Sequence, residues 1–340
     1  MDFHDIDALV ASIKEQNAER NYWMVRTMGG AFYGDFIRNG YIAIGYNEIS
    51  LQDIAALDQQ SHNAAHEELK ALITNRCPDI ANTGHPSGQL LRFVRDIKPG
   101  DVVMIPSTGS FHVAIGIVRG DTFEEHVAVV NDHTRCPFYK RRCVDWKIYT
   151  RRAALPPMLQ LMFASRHIVS TVNDYSPYID SLLNDFYYKD ETMHLVLEIK
   201  TRREVMLEDF CDLKALGSLV DQFCETSGFT EGGSIAMKVQ MESPGWLRLS
   251  NKNVEKMLVF GFFVVLLTGG GVKIKTETWN FDMSTNGILQ SIGEFLDRKA
   301  DQGLVEAATR AVDSLKIKAP EDLQPIIDIL NAKNEGREKY

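Results

Sequence analysis

Residues Met257 to Leu267 read MLVFGFFVVLL, eleven positions without a charged or hydroxyl side chain. Such a run is apolar around its whole circumference, so it has no face to offer water and must be covered on every side. It is well short of the roughly 20 residues a helix needs to cross a bilayer, and it ends at Thr268-Gly269-Gly270-Gly271. The expectation is a buried element in a layered domain. A partner subunit and a bilayer surface are the other possible covers, and the last would make the protein a membrane-surface effector acting through 257–267.

A chain of 340 residues with 44% hydrophobic and 24% charged positions can bury such an element, and its length suggests two domains. The net charge of −9 argues against broad adhesion to nucleic acid or acidic membranes, while leaving room for a local basic groove. Five cysteines, at 77, 136, 143, 211 and 224, include no CxxC, which points to a reducing, cytoplasmic setting. The opening MDFHDIDALVASIKEQ is acidic and amphipathic, unlike a secretory signal.

The first 150 residues read as short strands between turns, with a helical insert. Tyr22 to Arg26 and Tyr41 to Tyr46 are rich in aromatic and β-branched residues, and the first stops at Gly29-Gly30. Apolar spacing between Leu51 and Ile80 predicts two short helices, the second capped by Ser61, and a further helical turn follows at 89–94. Lys98-Pro99-Gly100-Asp101 then introduces a hairpin of Val102–Ile105 and His112–Val118, and Arg142–Ile148 alternates as a closing strand. This pattern suggests a small barrel.

From Arg151 the texture changes. Pro156-Pro157 interrupts the chain, 159–172 has helical spacing, and 173–177 reads as a loop, giving a linker over 151–175. Beyond it the expected order is strand (193–200), helix (207–224), strands (234–242, 246–249) joined at Ser243-Pro244-Gly245, the buried run, strand (272–278) and a helical tail. The domains are therefore expected at 1–150 and 176–332, with a frayed tail at 333–340. The fold class is α+β, with a mostly antiparallel sheet in the C-terminal domain.

Three phrases carry a family resemblance: Tyr22-Trp23-Met24-Val25-Arg26 with Gly29-Gly30, Gly40 to Tyr46, and Lys98-Pro99-Gly100-Asp101 with Ile115-Gly116-Ile117-Val118. Together with Arg142-Cys143-Val144-Asp145-Trp146, they make residues 20–150 resemble the N-terminal domain of some Mrr-type restriction proteins, which is similar to the EVE and PUA group of β-barrels. Tyr46 departs from the family, which usually writes tryptophan there. The resemblance implies a prokaryotic antiviral-defence protein whose barrel recognises a modified base, a nucleotide or nucleic acid. The C-terminal half is similar only to uncharacterised bacterial proteins.

A barrel that reads a base needs rings for stacking and a few polar groups for its edge. Trp23, Tyr46 and Trp146 are the rings in question, with Arg26 as edge or anion donor and Gly29-Gly30 admitting close approach. A tryptophan in a strand also serves as core, and paired glycines as a turn. Arg135, Lys140, Arg141, Arg142, Lys147, Arg151 and Arg152 fall within 18 positions. Arg135 and Lys140 to Arg142 are the expected phosphate contacts, against the alternative of a solvated basic strand edge.

The enzyme reading is a Mg²⁺-dependent nuclease. Glu198-x-Lys200 at a strand end, with an aspartate such as Asp185 (or Asp174, Asp180, Asp190), matches the residue types that hold a metal and orient water. The recognition reading implies no cofactor. His62 and His66 stand at i and i+4 without HExxH or a third ligand, so no metal site is assigned; no GxSxG, GxxxxGK[ST] or GxGxxG occurs either. A homo-oligomer is compatible with either reading.

Overall fold

The computed structural model describes residues 13, 15, 19–126, 135–229, 233–240, 245–269 and 288–329. The expected strand at 272–278, the tail at 333–340 and the Ser243-Pro244 turn lie outside them. The chain forms two compact units, Glu19–Leu183 and Asn184–Tyr340 with Met1–Ala18, and both are α+β.

The first unit is built on a curled, half-barrel mixed sheet. Its elements are β1 (Tyr22–Val25), α1 (Tyr33–Asn39), β2 (Tyr41–Ile44), α2 (Leu51–Ala55), α3 (His62–Arg76), α4 (Gly84–Leu91), β3 (Val102–Pro106), β4 (His112–Val118), β5 (Phe123–Glu124), β6 (Lys140–Arg151), α5 (Pro157–Gln160), β7 (Val169–Thr171) and α6 (Ser176–Leu183). A π-helical turn, Arg92–Asp96, extends α4. The strand order is β2-β6-β4-β3-β1-β7, with β5 pairing β6; β1 and β3 run parallel, and the other pairs antiparallel.

Alternation explains why the central strands read as unbroken apolar runs. Trp23 and Val25 of β1, with Val103 and Ile105 of β3, pack against Phe36, Ile54, Leu69 and Phe93 on the helical side. Tyr22, Met24, Val102 and Met104 pack on the opposite face against Leu155, Leu159, Phe163 and Ile179. That second face needs residues 155–183 as its cover, so this unit runs past the expected boundary near 150. For the same reason 159–172 is not one helix. After α5 and a 3₁₀ turn the chain straightens, and Val169–Thr171 pairs antiparallel with the β1 edge through Val25↔Val169 and Trp23↔Thr171.

The second unit holds β8 (Phe186–Lys189), β9 (Thr192–Ile199), α7 (Leu207–Ser227), β10 (Ala236–Gln240), β11 (Gly245–Asn251), α8 (Val254–Leu267), α9 (Ile288–Arg298) and α10 (Gln302–Leu315). Its sheet is antiparallel in the order β10-β11-β9-β8. The run Met257–Leu267 is the inner helix α8, and every one of its residues is buried, in a core shared with Leu216 and Phe223 of α7, Phe295 of α9 and Leu315 of α10. This removes the apolar face on which the membrane-surface reading depended. Among the described residues no helix is long and apolar enough to cross a membrane. At the other terminus Ile13 packs against this core and Glu15 bridges Tyr188, so this segment joins the second unit.

Candidate functional site

The expected cage of Trp23, Tyr46 and Trp146 does not assemble. Trp23 is a core residue whose indole Nε1 donates to Asp101 Oδ2 at 2.8 Å. The same carboxylate accepts the Lys98 amide at 2.9 Å and the Asn21 amide at 3.0 Å, so Trp23 and Asp101 staple the Pro-Gly turn to β1. Tyr46 occupies a left-handed turn at φ +61° on the β2 side. Trp146, half-buried, donates Nε1 to the Phe36 carbonyl at 3.0 Å and leans on α1. Arg26 is also structural: its Nη2 donates to the carbonyls of Phe163, at 2.7 Å, and Ser165, which ties the covering segment to the sheet.

Three of the four expected phosphate contacts point inward. Lys140 is 0% and Arg142 1% exposed, and Arg141 is also buried. Arg142 reaches the carbonyls of Phe93 (2.9 Å), Val94 (2.8 Å) and Gly120 (3.0 Å), thereby satisfying acceptors that the π-helical turn leaves open. Arg141 spans the Phe138 and Cys136 carbonyls and Glu125, with its guanidinium 4.3 Å from the Tyr41 ring centroid. None of the three offers its head group to a phosphate. Arg135 is exposed, as are Lys147 and Arg151.

Lys140 carries a testable pH signature. Its Nζ donates to the Tyr46 and Ile49 carbonyls at 2.7 Å each, and burial pushes its pKa down to about 8, against the opposing pull of Glu124, Glu48 and Asp53. An unfolded lysine stays protonated to roughly pH 10.4. Between about pH 8 and 10 the unfolded chain therefore binds more protons at this position, and its contribution to stability rises with pH. Urea midpoints of wild type and Lys140→Met across this window should diverge in favour of wild type, by on the order of 1–3 kcal/mol. Parallel pH profiles would refute the assignment.

The nuclease residues do not converge on a metal site. Asp185 accepts the amides of Glu321 (2.5 Å) and Asp322 (2.9 Å), and Asp322 accepts the Asp185 amide in return (2.9 Å). Burial raises the Asp185 pKa to about 6. Glu198 and Lys200 are exposed and pair with each other at 3.4 Å. Asp180 is buried in the first unit and accepts the Tyr22 hydroxyl at 2.5 Å, while Asp190 sits in the β8–β9 turn at φ +50°. Among the described residues, no group of three or more His, Cys, Asp or Glu side chains is placed to hold a metal ion. His62 lies 3.8 Å from Asp96, and His66 Nε2 is 3.0 Å from the Gly84 carbonyl, so the helix-spaced pair is divided between two partners.

One end of the seven-stranded sheet does gather exposed rings. Phe111, in the β3–β4 turn, is 76% exposed; Tyr149, on β6, is 57% exposed; and Met28, in the loop after β1, is 67% exposed. A bulge at Ile115/Gly116 leaves Lys147 without a pairing partner and puts Trp146 and Tyr149 on the α1 side of β6. There Tyr33 of α1 is half-buried, and burial together with Tyr149 raises its pKa. The two loops touch through Gly30: a Cβ at this position, φ +102°, would lie 2.1 Å from the Thr108 amide nitrogen. Met28, Gly109 and Ser110 are also left-handed. The Gly30 carbonyl accepts the Tyr33 amide at 3.2 Å, and the Phe111 carbonyl accepts the Arg152 amide at 2.9 Å, which joins loops, helix and β6. Of the expected site residues, Gly29 and Gly30 belong to this end, while Trp146 lies further along β6, opposite Gly116. Phe111 and Tyr149 were missed, although a phenylalanine directly after Gly109-Ser110 in a hairpin turn is where no core can cover a ring.

Residues 23–172 match a family model described as a domain of unknown function, DUF8426. The matched span starts in β1 and ends just past β7, so it takes in the whole seven-stranded sheet and most of its helical covers. No curated protein matches the chain.

Proposed function

We propose that this is a recognition protein of the Mrr/EVE-like kind, acting in the cytoplasm of a prokaryote in a defence role. Its first unit holds a modified base or nucleotide against Phe111 and Tyr149, and its second unit signals or assembles. The observation that carries the reading is the exposure of Phe111, Tyr149 and Met28 together at one end of the sheet, on loops locked by the Gly30–Thr108 contact. Stacking a base on such a ring contributes ~1–3 kcal/mol and tolerates any base, so specificity has to come from edge contacts. Arg151, exposed and paired opposite His112, is placed beside the rings to meet a phosphate. With the inward-facing cations removed from the count and a net charge of −9, few phosphate contacts remain, and a shallow salt dependence is expected.

The test is fluorescence anisotropy with short single-stranded oligonucleotides, with and without a modified cytosine, alongside free nucleotides. Phe111→Ala combined with Tyr149→Ala should weaken binding about 10- to 100-fold, while thermal stability is retained because both rings are exposed. Equal affinities in the double variant and wild type would refute the stacking site, as would the absence of any base-containing ligand for the wild type.

A further inference from the structure

Two exposed histidines, 82 positions apart in sequence, meet on the first unit. His85, in the first turn of α4, and His167, two residues before β7, face each other with His85 Nε2 and His167 Nδ1 2.7 Å apart. Their ring centroids are 4.9 Å apart, and the ring planes lie within 22° of each other. Such a contact needs one N–H and one lone pair, so two facing nitrogens share a single proton. Neither ring forms an ion pair with a carboxylate among the described residues, unlike His62 and His66.

The backbone under both rings is fixed. Gln89, one turn after His85 on α4, is buried, and its Oε1 accepts the Val169 amide at 2.5 Å, which ties the helix to the segment carrying His167. On the helix side, Ser87 Oγ donates to the His66 carbonyl at 2.8 Å, and the buried Pro86 follows His85 directly. On the other side, the Arg26 amide donates to the Ile168 carbonyl at 2.8 Å, the hydroxyls of Ser165 and Ser170 lie 2.7 Å apart, and Arg26 Nη2 donates to the Ser165 carbonyl. The rings therefore meet because the fold holds their backbones, and only side-chain torsions remain to be set. Two donors converging from an ordered backbone are what a preorganised ligand pair requires.

Neutral imidazole is a common ligand of borderline divalent transition metals. An ion about 2.0–2.1 Å from each nitrogen, in line with its ring, sets the centroids about 4.6 Å apart at a right-angle bite and about 5.3 Å apart at a tetrahedral one. The 4.9 Å found here lies between these values. An ion can thus enter by the two rings pivoting in place, without movement of the backbone. The shared proton passes to the outer nitrogen of its ring by exchange with water, which the exposure of both rings allows, so a neutral pair binds metal without net proton release. We infer that His85 and His167 chelate a divalent transition-metal ion of the Zn²⁺ or Ni²⁺ kind, and that this ion clamps α4 to the segment leading into β7. Water completes the coordination. Mg²⁺ and Ca²⁺, which take oxygen ligands, do not suit the donor set. This site goes beyond the stacking site and does not depend on it.

The experiment is isothermal titration of the metal-free full chain with Ni²⁺, Zn²⁺ and Mg²⁺ at neutral pH, in parallel with His85→Ala, His167→Ala and His62→Ala. Ni²⁺ and Zn²⁺ should bind at micromolar concentration and raise the melting temperature, because an ion that binds only the folded chain stabilises it. Mg²⁺ should do neither. His85→Ala and His167→Ala should each weaken Ni²⁺ binding about tenfold or more and remove the thermal shift. Their metal-free melting temperatures should stay close to wild type, since both rings are exposed. His62→Ala breaks the helix-spaced pair on α3 and should bind as wild type does. In nuclear magnetic resonance spectra, Zn²⁺ should shift the ring signals of His85 and His167 together. No micromolar binding of Ni²⁺ or Zn²⁺ by wild type would overturn the proposal. So would affinity unchanged in His85→Ala or His167→Ala, or affinity lost in His62→Ala alone.

Discussion

Arg142→Met is expected to destabilise the first unit by about 3 kcal/mol, seen as a lower urea midpoint at constant slope. The methionine fills most of the space of the arginine stem but leaves the carbonyls of Phe93, Val94 and Gly120 without their donor. A buried acceptor so abandoned costs roughly 1–3 kcal/mol. Relief from burying a guanidinium returns part of this, since burial already pushes the Arg142 pKa down to about 10. The net loss is a large fraction of the 5–15 kcal/mol typical of a folded domain. Arg151→Met, at an exposed position of the same strand, should change stability by less than about 0.5 kcal/mol. Glutamine at Lys140, Arg141 and Arg142 together should yield an unfolded or aggregating protein, whereas outward-facing cations would give a folded one with a flatter salt dependence. An unchanged midpoint in Arg142→Met would refute the role given to its three bonds.

The contrast between Arg142 and Arg151 also shows where the sequence stopped being readable. The central strands were legible because Tyr22–Val25 and Val102–Pro106 are buried on both faces, and a run of apolar and β-branched residues of strand length has few other fates. Helix α8 was legible for the same reason, since nothing in its circumference suits water. Residues 159–172 were misread because their spacing fits a helix, whereas Val169–Thr171 is drawn into extended form by a strand edge more than 140 positions earlier. β8 was overlooked because its turn into β9 is Asp190-Glu191 at φ +50° and +55°, without the glycine that usually marks such a hairpin.

Charge is the hardest property to place from sequence. Lys140-Arg141-Arg142 looks like a basic edge, but a long side chain can also run through a core and end on a carbonyl, and composition does not separate the two.

Gly30→Ala is expected to cost about 3–4 kcal/mol, although it removes no contact. At φ +102° any side chain is strained. In addition the new Cβ would lie 2.1 Å from the Thr108 nitrogen and 2.4 Å from its Cα, distances that only a separation of the two loops can relieve. Gly29→Ala, at φ +64° with open space around the Cβ, meets only the left-handed penalty of about 1 kcal/mol. Urea midpoints of the two variants should therefore differ by roughly 2–3 kcal/mol. Where both are still folded, at low temperature and without denaturant, oligonucleotide affinity should fall in Gly30→Ala and hold in Gly29→Ala. The loop driven off Gly30 is the one that carries Phe111, so ring placement and loop contact should fail together. A Gly30→Ala protein with lowered stability and undiminished affinity would mean that the Gly30–Thr108 contact supports the fold and has no part in placing the ring.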